Sequence, residues 1–268
     1  MDLVIGGETM VSSEKRTVAI QIGATSFADE GIPQVLDILE EKAQVNALFF
    51  ASYTFDRGTG GRQIEGHPFP DHGVQEYDLD FQGGNFARIH PEFYSSTLLQ
   101  DFRAPDFGDR DFLEETIPYA KKRNMKTFCW INENPYAPIS KYVANFPKVL
   151  EVDCYGIPTS TPCFNNPDYQ SFHLSLVEDY CRSYAIDGIA WSSERQGPLG
   201  NMIGGGWSHK GIGCFCEHCR ALAKERGINW ERAMAGYRAL NNLFHRARGS
   251  DRPNDGYFVS FWRLLLQY

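Results

Sequence analysis

The chain has 268 residues, 42% hydrophobic and 22% charged, a composition that fits a folded globular protein and excludes a disordered, collagenous or coiled-coil one. With 34 acidic against 26 basic side chains, the net charge of -8 argues against a nucleic-acid partner held by phosphate neutralisation. No apolar run approaches the ~20 residues that cross a bilayer, and the opening MDLVIGGETMVSSEKR lacks the basic and apolar regions of a secretory signal, so no membrane partner and a cytoplasmic setting are expected.

From Thr17 to Gly23, TVAIQIG reads as a strand. After the turn-like ATSFADEG, IPQVLDILEEKAQV reads as a helix, with Val35, Ile38 and Leu39 at helical spacing and Pro33 in the first turn. The aromatic-rich ALFFASYTF (47–55) is a second strand, and this strand–helix–strand unit implies parallel pairing. Residues 56–108 are rich in Gly, Pro, Asp and His without period, and read as one long loop. Their Phe and Tyr content favours an ordered, functional loop over a linker. A helix is expected from Asp109 to Met125, with acidic residues at its start and Lys121, Lys122 and Arg123 at its end, the order that complements a helix dipole. KTFCWINEN (126–134) is a third strand, and a second long loop (135–165) holds a short strand at KVLEVDC.

Asn166-Pro167-Asp168 then opens a helix, with Asn at the N-cap, Pro at the first position, and Tyr169, Phe172, Leu176, Tyr180 and Tyr184 along one stripe. DGIAWSSE (187–194) is the fourth strand, and 217–227 and 230–248 have helical periodicity. Strands alternating with helices, with long insertions after strands, point to an α/β fold of the (β/α)8 TIM-barrel type whose site is built from loops at the C-terminal face. Residues 1–15 read as an N-terminal extension and 16–268 as the barrel domain. Only four strands are found, so the N-terminal half to two-thirds of a barrel is expected. Either its other strands lie beyond Tyr268 or the barrel is incomplete and needs a partner.

Two carboxylates fall at strand ends. Strand parity places Glu194 with Gly188, Ala190 and Ser192, opposite Ile189 and Trp191, which aims it into a barrel mouth. Glu133 follows Trp130 and Asn132. A Trp face stacks on sugar C–H surfaces and amides bind hydroxyls, so this is a candidate saccharide subsite, and two carboxylates flanking a bond are what glycoside hydrolysis requires. His67, His72 and His90 lie in the first long loop, His90 being a candidate sugar-binding group. Arg195 follows Glu194 as a candidate ligand contact or its ion-pair partner.

Seven Cys is an odd number and too few for a disulfide scaffold at this length. Three of them form the run Cys214-Phe215-Cys216-Glu217-His218-Cys219, which leads into a helix and can reach one tetrahedral ion. Cys163 is the first choice for the fourth ligand, with His209 or His218 behind it. A closed four-cysteine set would hold structural zinc with no open position for catalysis.

The stretch from CFNNPDYQSFHLSLVEDYCRSYAIDGIAWSSE through GCFCEHCRALAKERG resembles the central part of barrel-fold glycoside hydrolases, above all the family 42 β-galactosidases and related uncharacterised hydrolase-like barrels. YAKKRNMKTFCWINEN is similar to the helix and third strand of those hydrolase-like barrels. The resemblance covers residues ~105–230. It implies Cys163, Cys214, Cys216 and Cys219 as structural zinc ligands and Glu194 as the acid/base. Two departures accompany it: Ser193 stands where such enzymes usually carry Asn, and the late strand that bears their nucleophile has no counterpart in this chain.

The sequence therefore leads to a glycosidase acting on a carbohydrate. Glu194 is its proton donor, Glu133 the in-chain candidate for the second carboxylate, and Trp130, Asn132 and Trp191 position the sugar. Three other readings stand beside it: a non-catalytic carbohydrate-binding barrel; a zinc-organised interaction module, for which a homo-oligomer is expected; and a metal-dependent sugar isomerase using His67, His90 and carboxylates.

Overall fold

The computed structural model describes residues 16–55, 81–133, 139, 143–192, 213–248 and 257–268. Residues 1–15, His67, His72, Ser193, Glu194, Arg195 and His209 lie outside them. The first strand, β1 (Ala19–Gly23), runs into α1 (Ala24–Glu30) and α2 (Ile32–Ala43), then β2 (Ala47–Thr54). The turn expected at ATSFADEG is instead the short helix α1. Gly31, at φ +88°, ends it by donating its N–H to the Phe27 carbonyl, and Pro33 starts α2 in the next turn. Seven residues leave too few positions for an apolar period to emerge, which is why the helix is silent in the sequence.

After β2 come the two-residue β3 (Gly84–Asn85), α3 (Phe112–Lys122), β4 (Lys126–Asn132), the short pair β5 (Leu150–Val152) and β6 (Pro158–Pro162), α4 (Pro167–Ser183) and β7 (Gly188–Ser192). Three helices follow: α5 (Glu217–Glu225), α6 (Trp230–Arg248) and α7 (Tyr257–Gln267). Among the described residues, β1, β2, β4 and β7 form a parallel sheet in that order, with β3 added antiparallel to β2, and β5–β6 make a separate antiparallel pair. These strands form an open sheet, not a closed barrel. The four parallel strands are the four read from the sequence.

Side chains lock the strand beginnings. Asn46 Oδ1 accepts the Val18 N–H at 3.0 Å while its amide donates to the Arg16 carbonyl, and Asp187 Oδ2 accepts the Thr127 N–H at 2.8 Å. Alternation then assigns the faces. Ile22, Phe50, Cys129 and Ile131 are buried in the core with Phe27, Leu36, Phe112, Phe172 and Leu176 from the helices. On the opposite face Phe49 stacks on Phe128 at 4.9 Å, and Gly188 lies against the Phe128 ring.

Part of the long loop expected at 56–108 is core. Phe86, Tyr94, Leu99 and Phe102 are buried, and the backbone threads between strands through Asn85 N–H to Phe102 O (2.6 Å) and Phe86 N–H to Ser52 O (2.8 Å). Their aromatic rings enter the core from turns and a 3-10 turn at Pro91–Tyr94, so no period of 2 or 3.6 marks them. α3 starts at the Asp111 cap, whose Oδ1 accepts from Leu113 and Glu114 N–H. No helix among the described residues is long and apolar enough to cross a membrane.

Candidate functional site

The C-terminal ends of β4 and β7 lie side by side, with Asn132 paired to Ser192 and the Glu133 N–H donating to the Ser192 carbonyl at 3.0 Å. Trp130 and Asn132 share a face of β4 with Phe128 by strand alternation. Both are buried, and the Trp130 indole N–H has no hydrogen-bond partner among the described residues. A buried donor left unpaired costs about 1–3 kcal/mol, so this N–H is chemically poised for an acceptor.

Glu133 turns the other way, toward α4. It is fully buried, and its Oε1 accepts the Tyr169 hydroxyl proton at 2.5 Å. One helical turn on, the His173 ring meets the Tyr169 ring edge-on at 4.6 Å, and Trp191 closes over His173 at 4.9 Å. Trp191 therefore sits on the helix side of β7, 44% exposed, and not on the face that carries Trp130 and Asn132. In the sequence Tyr169 stands out only as part of the helix stripe, and His173 not at all. The signal for them was a phenol and an imidazole four residues apart just after the Asn166 cap, two polar tips on an otherwise apolar face.

His90 belongs to a different group. Its backbone N–H and Nδ1 bond to the two oxygens of Asp179 at 3.1 and 2.7 Å, and the Tyr94 hydroxyl (3.2 Å) and Ser183 hydroxyl (2.8 Å) donate to the same carboxylate. Asp179 has no solvent exposure. Burial and the Asp179 charge push the Tyr94 hydroxyl far above its usual range, which keeps it a donor. Ten residues of α4, about 15 Å of helix rise, separate Asp179 from Tyr169, so His90 is not brought to the Glu133 corner.

The four cysteines singled out in the sequence do converge. The Sγ atoms of Cys163, Cys214, Cys216 and Cys219 lie within 4.8 Å of one another, with Cys163 to Cys219 at 3.5 Å and Cys216 to Cys163 at 3.6 Å. Cys163 comes from the turn between β6 and α4, Cys216 caps α5, and Cys219 lies in its first turn. The Phe215 N–H donates to the Val152 carbonyl at 2.6 Å, which stitches the cysteine run to β5. Four sulfurs at 2.3 Å from one ion would stand about 3.8 Å apart, so the set fits a tetrahedral metal with no position left open. Hydrogen bonds from Cys163 and Cys214 pull the Cys219 thiol down to about 7, and those from Cys163 and its neighbours pull Cys216 down much further. The Cys163 thiol is instead driven up by its bonds to Cys214, Cys216 and Cys219, and Cys214 is raised as well. His218 faces Glu217 instead, at 3.9 Å.

No protein-family model and no curated protein matches the chain. Among solved structures, the α-L-fucosidase isoenzyme 2 from Paenibacillus thiaminolyticus is similar at a TM-score of 0.47 and 13% identity, over 87% of this chain and 30% of that one. The chain thus spans under a third of that protein's length.

Proposed function

We propose that this chain is part of a (β/α)-barrel glycoside hydrolase acting on a carbohydrate, with structural zinc on Cys163, Cys214, Cys216 and Cys219. Glu194 is the proton donor, Glu133 the second carboxylate, and Trp130 and Asn132 bind sugar hydroxyls. The observation that carries the reading is the buried, unpaired indole N–H of Trp130, on the same face of β4 as Asn132 at the strand ends where sites of parallel α/β sheets form. A sugar hydroxyl is an acceptor of the right kind for it. Ser192 is the register partner of Asn132, and Glu194 comes two positions further along the sequence, outside the described residues. Zinc is favoured over other ions because four thiolates in a closed tetrahedron suit a borderline-soft, redox-inert cation.

The full burial of Glu133 against Tyr169 favours a second reading, a carbohydrate-binding protein without turnover. A panel of aryl glycosides, with sugar binding measured in parallel, separates the two. In a glycosidase Glu194→Gln should cut turnover 10²- to 10⁴-fold while binding persists. Hydrolysis that survives Glu194→Gln undiminished rejects the proposed mechanism, and binding with no turnover in the native chain establishes the second reading.

A further inference from the structure

We propose that Tyr169 is a positioning residue for Glu133 and that it couples the four-cysteine cluster to the end of β4. The inference rests on the proposed role of Glu133 for its catalytic meaning, though not for its geometry. Cys163 is fixed on one side by its N–H bond to the Val149 carbonyl (2.7 Å), and its own carbonyl accepts the Asn166 N–H at 3.0 Å. Asn166 Oδ1 then caps α4 by accepting from the N–H groups of Asp168 (2.9 Å) and Tyr169 (3.4 Å). Tyr169, 1% exposed, points its hydroxyl to the Glu133 carboxylate, and its ring is held edge-on by Phe164 (5.7 Å) and His173 (4.6 Å). Tyr169 stands six positions after Cys163, so one backbone bond and one side-chain cap link a candidate metal ligand to the residue whose hydroxyl fixes the candidate carboxylate.

A phenol donating to a carboxylate favours the charged form, and Tyr169 and His173 are the titratable groups that α4 presents at this corner. Removing the hydroxyl should therefore raise the pH at which Glu133 titrates by about one unit. The chain labelled with carboxyl-¹³C glutamate provides the readout, the Glu133 resonance being assigned by its loss in Glu133→Gln. In the zinc-loaded chain Tyr169→Phe should raise the midpoint. Stripping zinc with a chelator should raise it in the native chain and leave the Tyr169→Phe midpoint where it already is, because both changes break one path. An unchanged midpoint in folded Tyr169→Phe overturns the proposal, as does a chelator shift of equal size in both chains. The chelator arm on the native chain needs no variant and decides the matter if Tyr169→Phe does not fold: a rising midpoint supports the path and a fixed one overturns it. Failure of the catalytic reading looks different, since Glu133→Gln would then leave turnover unchanged while the resonance still responds to Tyr169.

Discussion

Asp179 illustrates how much one buried side chain can organise. It accepts from the His90 backbone, the His90 ring, Tyr94 and Ser183, and so ties the 3-10 turn at Pro91–Tyr94 to the last turns of α4. Asp179→Ala leaves those donors without an acceptor, and chemical denaturation should show a loss of about 3 kcal/mol. A loss under 1 kcal/mol would mean that water replaces the carboxylate. None of this was legible in the sequence, because His90 and Asp179 stand 89 residues apart and nothing local marks either as the other's partner. Glu133 and Tyr169, 36 apart, were hidden for the same reason. The cysteines were legible because three of the four ligands fall in one six-residue run, so the spacing itself carries the coordination chemistry.

Helix α4 was readable from its first residue, since Asn166 and Pro167 specify a cap and a first turn by local chemistry alone. Asn166→Ala should cost about 1 kcal/mol in thermal or denaturant unfolding, the usual worth of such a cap. The connection before α3 depends instead on a close approach. Gly84 has φ +135°, and a Cβ there would stand 2.5 Å from the Phe102 carbonyl oxygen and 3.0 Å from the Ala104 nitrogen. Gly84→Ala should therefore destabilise by about 2 kcal/mol or more, since backbone and not a pliable side chain must yield. A variant as stable as the native chain would show that the strand addition at β3 is soft. The part that the neighbouring rings of Phe86, Tyr94 and Phe102 play in the core is not legible in the sequence, because they follow turn geometry and have no repeat.

At the scale of the molecule, four parallel strands could be read off because each is a short apolar run between clear helix signals, and parallel strands are covered by the helices that connect them. Closure of the sheet is a long-range property with no local mark. The four-cysteine cluster also acts at this scale, bringing the β5–β6 pair and the start of α4 against α5. Removing the proposed ion with a strong chelator should lower the melting temperature by about 10 °C, and an unchanged melting curve would show that the thiols stabilise nothing through a metal. Apparent metal affinity should fall as pH is lowered, because each thiol must lose its proton to coordinate, and Cys219, at about 7, becomes protonated near neutrality. Competition titrations at pH 6 and pH 8 check the sign.

An ion gripped by Cys163 and Cys219 also closes a ring in the covalent chain, 56 residues around, with α4 and β7 threaded along it. Such a ring matters most when the protein is unfolded. A disulfide spanning that length would strip the denatured chain of freedom worth about 4 kcal/mol, and an ion that stays bound during denaturation does the same. The loaded chain would then unfold into a compact lariat while the stripped chain becomes an open coil, so the ion governs the polymer that folds as well as the fold it reaches.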